Sequence, residues 1–121
     1  MIEGLSYDDI LLVPQYSAIV SRKNIYIGNN LDEQISLKLP IIASPMDTIS
    51  GSSMVIAMNA AGALAVIHRY NTVAEQVQLV REALDENPRA IIAAATGITG
   101  DYTKRVAALI DAGAEVICLD V

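Results

Sequence analysis

Residues 64–75 of the chain read LAVIHRYNTVAE, which is a short apolar run, a polar turn and the start of a helix. Four apolar residues in succession are typical of a strand that is buried on both faces. Thr72 and Glu75 have the spacing of a capping box, which marks a helix N-terminus. The helix that follows carries apolar residues at the spacing of one buried face: Val73, Val77, Val80 and Leu84.

The same alternation of strand and helix recurs on both sides of this unit. We predict further strands at 41–43, 90–95 and 115–119, a helix over 51–61 that ends at Gly62, and a helix from Asp101 to Gly113. In that last helix, the side chains expected to face the sheet are Val106, Leu109 and Ile110. Strands that alternate with helices predict an α/β fold with a parallel sheet.

Four strands and three helices fit either a small open sheet or about half of a (β/α)8 barrel. A parallel sheet is normally covered on its faces by helices, yet no helix follows the strand at 115–119. A complete barrel of this kind takes about 250 residues. We therefore predict an α/β chain that is the first half of a (β/α)8 TIM barrel. A flavodoxin-like domain, which would need a helix over the last strand, is disfavoured.

The pattern of apolar and turn-forming residues changes at Pro40, and this change indicates the domain organisation. Residues 1–39 mix short apolar runs with turn formers and are predicted to form an extended N-terminal arm with short strands. Residues 40–121 hold the first four strands of a single domain that covers 1–121. Only residues 86–89 connect the second helix to the third strand, so no module is inserted there.

Composition limits the possible functions. The chain has 121 residues, a net charge of −6 and 53% hydrophobic residues, so it has enough apolar side chains for a core. An acidic chain with 4% aromatics lacks the basic surface that nucleic-acid binding needs. One cysteine cannot form an internal disulfide, and no apolar run approaches the roughly 18 residues of a membrane span. We expect a cytoplasmic protein without a targeting signal.

Polar residues follow each predicted strand, at the edge where parallel α/β folds bind ligands. These are residues 44–48, 68–71 and 96–100, and Asp120 at the end of the last strand. A carboxylate that ends an apolar strand needs a partner or a ligand to offset its desolvation, so we favour a functional role for Asp120.

The other candidates have structural alternatives. Asp47 or Ser50 fits a helix cap as well as a binding role, and the Ser44 hydroxyl fits a buried group bonded to the backbone. His68, the single histidine, suits a structural role better than a catalytic one, and residues 96–100 suit a plain turn. Cys118 lies between Ile117 and Leu119 and is expected in the core rather than as a nucleophile.

Three stretches, taken together and in order, resemble the IMP dehydrogenase/GMP reductase family. They are LSYDDILLVP at residues 5–14, PIIASPMDT at 40–48 and GAEVICLD at 113–120. The resemblance implies a barrel that binds a purine nucleotide monophosphate, GMP or IMP, and NADP or NAD, usually as a tetramer. By position, Ser44 and Met46 match residues of the nucleotide site. Asp120 matches an aspartate near the nicotinamide ribose, and Thr99 matches a segment near the adenosine half of the dinucleotide.

The resemblance also implies parts that this sequence does not contain. The family's catalytic cysteine matches no residue up to Val121, and Cys118 does not correspond to it, so we predict no catalytic residue within the chain. The family's phosphate loop and monovalent-cation site are likewise unmatched. The chain alone is expected to be inactive, and to pair with itself or with a missing C-terminal half.

Two features favour one reaction of the family over the other. Most IMP dehydrogenases insert CBS modules after the second helix, where this chain has Asn87-Pro88, and Ser21-Arg22 is more similar to GMP reductases. We therefore lean towards NADPH-dependent reductive deamination of GMP to IMP. The alternatives are an IMP dehydrogenase without CBS modules, which converts IMP to XMP with NAD, and a non-enzymatic half-barrel that acts as a binding or regulatory module.

Overall fold

A four-stranded parallel sheet with helices packed against it forms the centre of the computed structural model, which describes residues 4–121. The first three residues of the predicted arm lie outside the described residues. Two short strands, β1 (Asn29–Asn30) and β2 (Ser36–Leu37), precede this sheet. Its own strands are β3 (Ile42–Ala43), β4 (Leu64–Ile67), β5 (Ala93–Thr96) and β6 (Val116–Leu119), paired in that order. The helices α1 (Ser52–Ala60), α2 (Val73–Glu86) and α3 (Tyr102–Ala112) connect them. The predicted α/β fold with a parallel sheet is confirmed.

Alternate residues of the central strands enter two separate apolar clusters. On one face, residues such as Ile67 and Ala94 pack with Val80 of α2 and Leu109 of α3. On the other face, residues such as Val66 and Ala95 pack with Ile35 and Leu37. Strands β4 and β5 are therefore buried throughout, as a parallel sheet covered on both faces requires.

Residues 4–39, which precede the parallel sheet, are largely irregular. They contain two 3-10 turns, Tyr7–Asp9 and Arg22–Asn24, and a short antiparallel pair of β1 (Asn29–Asn30) with β2 (Ser36–Leu37). Ile35 and Leu37, in and beside β2, anchor this pair to the sheet, whereas most large apolar side chains before β1 are exposed. In the part of the chain that the structure describes, no helix is long and apolar enough to cross a membrane.

Two of the predicted helix-capping features form in the structure, and the other predicted caps do not. The Thr72–Glu75 capping box forms, and Gly113 ends α3 in the left-handed conformation at φ 108°, which favours glycine. Neither Asp47 nor Ser50 caps α1, whose N-cap is Gly51. Asp101 occupies the N-cap position of α3, but its side chain makes no capping hydrogen bond.

Two predictions about the third unit are wrong in detail. The strand predicted at 90–95 begins at Ala93 and extends to Thr96, because its pairing with β4 begins at Ala93, opposite Val66. Ile110 was expected to face the sheet with Leu109, but it is 55% exposed whereas Leu109 is fully buried. The surface of α3 that α2 and β5 cover therefore includes Leu109 but not Ile110.

The Glu75 carboxylate stabilises the N-terminus of α2 in a way that depends on pH. It accepts hydrogen bonds from the backbone N–H and the hydroxyl of Thr72, each at 2.8 Å. Both bonds lower the pKa of Glu75 below its ordinary 4.5, and the bond from the backbone N–H has the larger effect. Because the folded-state pKa is the lower one, the carboxylate stabilises the fold above pH 4.5, and this contribution is lost as the pH falls through the folded-state pKa.

We expect Glu75→Gln to be less stable than the parent chain near neutral pH and to match it more closely in acid. Glutamine keeps the shape of the capping box and removes the charge. The measurement is the free energy of unfolding of both chains in urea from about pH 7 to about pH 3. Glu115→Gln, at an exposed glutamate without a side-chain hydrogen bond among residues 4–121, is the control. A stability difference that does not change with pH would contradict the prediction.

Candidate functional site

A cleft of about 440 Å³ opens at the carboxyl ends of the parallel strands. Its walls come from the loop after β3, the loop after β4 and the end of β6, and its lining residues are Ser44, Pro45, Met46, Asp47, Tyr70 and Asp120. This volume lies within the range of small-molecule sites, roughly 300–1,000 Å³. Of the four residues predicted for binding, the structure brings three to this cleft: Ser44, Met46 and Asp120.

Backbone hydrogen bonds within the loop after β3 hold its conformation. The N–H of Met46 donates to the carbonyl oxygen of Ser44 at 2.8 Å, and the N–H of Ser50 donates to the carbonyl oxygen of Met46 at 2.8 Å. Ser50 is fully buried, and its hydroxyl donates to the Ser44 carbonyl oxygen. Ser50 therefore braces the loop from within, while the side chains of Ser44 and Met46 stay exposed towards the cleft.

Asp120, which lines the cleft, forms an ion pair. Its Oδ2 lies 2.9 Å from Nε of Arg69, the second residue after β4, and both side chains are about one-third exposed. The backbone N–H of Asp120 donates to the carbonyl oxygen of Thr96, which continues the sheet pairing to the end of β6. The partner that a carboxylate needs at the end of an apolar strand is thus an arginine.

Aromatic rings border the same ion pair. The Arg69 guanidinium lies 5.5 Å from the centre of the Tyr70 ring, within the range of a cation–π contact. The rings of His68 and Tyr70 stack with their centres 6.5 Å apart. Nδ1 of His68 is buried without a hydrogen-bond partner within residues 4–121. His68 therefore supports Tyr70 at the cleft and does not line the cleft itself.

Thr99 and Cys118 lie away from the cleft. Thr99 is exposed in the turn that follows β5, and it is not among the lining residues. Cys118 is a free, half-buried cysteine within β6 that packs against the apolar cluster around Val66 and Ala95. Within residues 4–121, no group of three histidine, cysteine, aspartate or glutamate side chains could hold a metal ion.

A buried polar network that connects α2, α3 and the ends of β4 and β5 was not predicted from the sequence. Gln76 of α2 is fully buried, and its Nε2 donates to the carbonyl oxygens of Ile67 and Ala95 at 3.4 and 2.8 Å. Its Oε1 accepts from Nη1 of Arg105 at 2.7 Å. One feature of the sequence could have indicated a buried polar residue, because Gln76 interrupts the apolar stripe of α2 between Val73 and Val80.

The cleft offers groups that suit a ligand with a flat ring and sugar hydroxyls. Met46 and Tyr70 provide polarisable and aromatic surface, Ser44 a hydroxyl, and Asp120 a carboxylate whose Oδ1 makes no hydrogen bond with residues 4–121. Arg69 does not line the cleft but lies beside the lining residues Tyr70 and Asp120, and it uses Nε for Asp120, so its terminal nitrogens remain as donors. Stacking surface, hydroxyl, carboxylate and guanidinium together can recognise a nucleotide.

The chain is similar to a known family of proteins and to several of its curated members. Residues 4–121 match the family described as the IMP dehydrogenase / GMP reductase domain. A GMP reductase of Leishmania donovani is 40% identical over 100 residues, which are 78% of this chain and 20% of that protein. An inosine-5'-monophosphate dehydrogenase of Nitrosopumilus maritimus is 40% identical over 95 residues, 74% of this chain and 20% of that protein.

These matches cover a limited part of the relatives. The inosine-5'-monophosphate dehydrogenase of Thermoplasma acidophilum is 39% identical over 84 residues, which are 69% of this chain and 17% of that protein. The chain thus spans about one-fifth of the length of the curated relatives that it matches. The family match extends over every residue that the structure describes. The chain belongs to the IMP dehydrogenase/GMP reductase family.

Proposed function

We propose that this chain supplies the nucleotide-binding side of a purine nucleotide oxidoreductase, the class of enzyme that its family comprises. The observation that carries the proposal is the convergence of Ser44, Met46 and Asp120 on one cleft at the carboxyl ends of the strands. In this proposal, Ser44 and Met46 contact the purine nucleotide. Asp120 accepts a hydrogen bond from a ribose hydroxyl of the nicotinamide dinucleotide.

The proposal includes a larger fold around the described sheet. Strands paired in chain order, each reached through a helix, are what the first half of a (β/α)8 barrel contains. The apolar cluster around Val66, Ala95 and Leu37 would then become part of the barrel interior. Residues 1–39 would serve as the arm and residues 40–121 as the first four strands of one catalytic domain.

The residues at the cleft are compatible with a nicotinamide dinucleotide. Asp120 keeps one carboxylate oxygen for a hydroxyl group, because Arg69 occupies the other. The exposed Thr99 lies on the turn after β5, in the proposed direction of the adenosine half. When bound, NADP or NAD would supply the hydride chemistry, and the residues of this chain would bind and orient it.

Between the two reactions of the family, we favour NADPH-dependent reductive deamination of GMP to IMP. The connection from α2, which ends at Glu86, to β5, which begins at Ala93, is six residues long and holds no inserted module. The second candidate is the oxidation of IMP with NAD. It is supported by the dehydrogenases of Nitrosopumilus maritimus and Thermoplasma acidophilum, which are 40% and 39% identical to this chain, against 40% for the reductase.

Calorimetric titration of the chain with GMP, IMP, NADPH and NAD tests the proposal. We expect measurable heats with a purine nucleotide and with a dinucleotide, and tighter binding of GMP and NADPH than of IMP and NAD. CMP is the matched control, because it keeps the ribose and the phosphate but carries a pyrimidine. Equal binding of CMP and GMP would contradict purine recognition, and tighter binding of IMP and NAD would favour the dehydrogenase.

A further inference from the structure

Arg105 is a nearly buried cation whose shortest contacts are with neutral acceptors. It lies in the first turn of α3, its side chain is 11% exposed, and it forms a long ion pair with the exposed Asp101, whose Oδ1 lies 3.9 Å from its Nε. Its shorter contacts are with neutral acceptors: Oε1 of Gln76 at 2.7 Å and the backbone carbonyl oxygen of Asn71 at 3.0 Å. Burial of a charge is costly, and an apolar side chain of similar size often stabilises a fold equally well. What this arginine does in the fold therefore depends on the groups that its hydrogen bonds hold in place.

The contacts of Arg105 converge on the loop that carries the cleft residues. Asn71 directly follows Arg69 and Tyr70, and Nη2 of Arg105 holds its backbone carbonyl. Nη1 also approaches Oδ1 of Asn71 at 3.4 Å. The loop between β4 and α2 is thereby attached to α3, an element that is distant in sequence.

Gln76 fixes the other end of the same network. Its amide group donates to the carbonyl oxygens of Ile67 and Ala95, near the carboxyl ends of β4 and β5. Its amide oxygen can then face only one way, towards Arg105. One glutamine thus sets the position of the arginine relative to both strand ends, and the arginine sets the position of the loop.

We propose that Gln76 and Arg105 are positioning residues for the site, which hold the loop at 68–71 so that Arg69 meets Asp120 and Tyr70 faces the cleft. The inference rests on the proposed function for its effect on binding. The placement of the loop itself can be measured without any ligand.

The test uses Arg105→Met, which keeps the aliphatic bulk and removes the hydrogen bonds. In the unliganded chain, we expect the Nε–H of Arg69 to exchange with solvent at least about ten times faster, because its bond to Asp120 is no longer held in place. The amide of Ile91, which Asn59 binds at 2.8 Å elsewhere in the fold, should keep its exchange rate. Arg81→Met, at an exposed arginine of α2, is the matched control and should change neither rate.

A second measurement connects the network to binding. The dissociation constant for NADPH, the ligand assigned to Asp120, should rise about tenfold in Arg105→Met and stay unchanged in Arg81→Met, as is typical when the supporting partner of a binding group is removed. If Arg105→Met does not fold, both measurements are made on Arg105→Lys, which keeps the charge but cannot reach both acceptors in the planar geometry of arginine. An unchanged exchange rate of Arg69 in the folded variant would overturn the inference. Absence of NADPH binding by the parent chain would instead overturn the proposed function of Asp120, and the exchange result alone would then decide whether the network holds the loop.

Discussion

Replacement of Leu109 by alanine is expected to destabilise the fold by about 2–5 kcal/mol, the usual cost of truncating a buried leucine. Leu109 is fully buried and joins α3 to the cluster formed by Ile67, Ala94 and Val80. Truncation removes the contacts of a large side chain between a helix and the sheet and leaves a cavity. A loss of this size is a large share of the roughly 5–15 kcal/mol that stabilises a typical domain. Urea unfolding followed by far-ultraviolet circular dichroism measures it.

The neighbouring Ile110 provides a matched control for this variant. It has the same number of side-chain atoms and occupies the same helix, but it is more than half exposed. Ile110→Ala should change the free energy of unfolding by less than about 1 kcal/mol, since exposed positions tolerate substitution. Equal losses in the two variants would contradict the burial that the structure assigns to α3.

This pair of residues also shows how far periodicity predicts the fold. The repeat of apolar residues located α3 and its end at Gly113, and the spacing of Thr72 and Glu75 located the start of α2. Periodicity cannot define the edge of the covered surface, because that edge depends on which neighbours pack against the helix. Leu109 and Ile110 both fit an apolar stripe, and only the positions of α2 and β5 separate them.

Strand boundaries were less predictable for a related reason. Ala90 and Ile92 are as deeply buried as the residues of β5 itself, yet the strand begins at Ala93. A strand that is covered on both faces has no alternation of polar and apolar residues to mark its ends. The boundary is set by the pairing of Ala93 with Val66, which is a contact between distant parts of the chain.

The composition of the cleft followed from the sequence, whereas its internal pairing did not. The rule that ligands bind at the carboxyl ends of parallel strands pointed to residues 44–48, 68–71 and 96–100 and to Asp120, and the cleft is lined from all of these except 96–100. The partner of Asp120 is Arg69, 51 positions away in the sequence. No local pattern marks such a pair, since it depends on the order of the strands and the direction of each loop. Thr99 was assigned by resemblance alone, and its position outside the cleft leaves that assignment as a prediction.

Asp120→Asn is expected to separate binding from stability. The Arg69–Asp120 pair is about one-third exposed, and ion pairs in contact with solvent contribute only about 0.2–1 kcal/mol to folding. The free energy of unfolding should therefore change by less than about 1 kcal/mol. A hydrogen bond to a charged group is worth about 1.5–3 kcal/mol. If Asp120 accepts a ribose hydroxyl as proposed, its neutralisation should raise the dissociation constant for the dinucleotide about 10- to 100-fold.

Two further variants distinguish a direct contact from an effect that acts through Arg69. Asp111→Asn, at an exposed aspartate of α3 that does not line the cleft, should change neither stability nor binding. Arg69→Ala removes the ion pair and leaves the Asp120 carboxylate in place. If Asp120 contacts the ligand, Arg69→Ala should weaken dinucleotide binding less than Asp120→Asn does, and the double variant should resemble Asp120→Asn. Equal effects of the two single variants would mean that Asp120 serves to hold Arg69, and that the arginine makes the contact with the ligand.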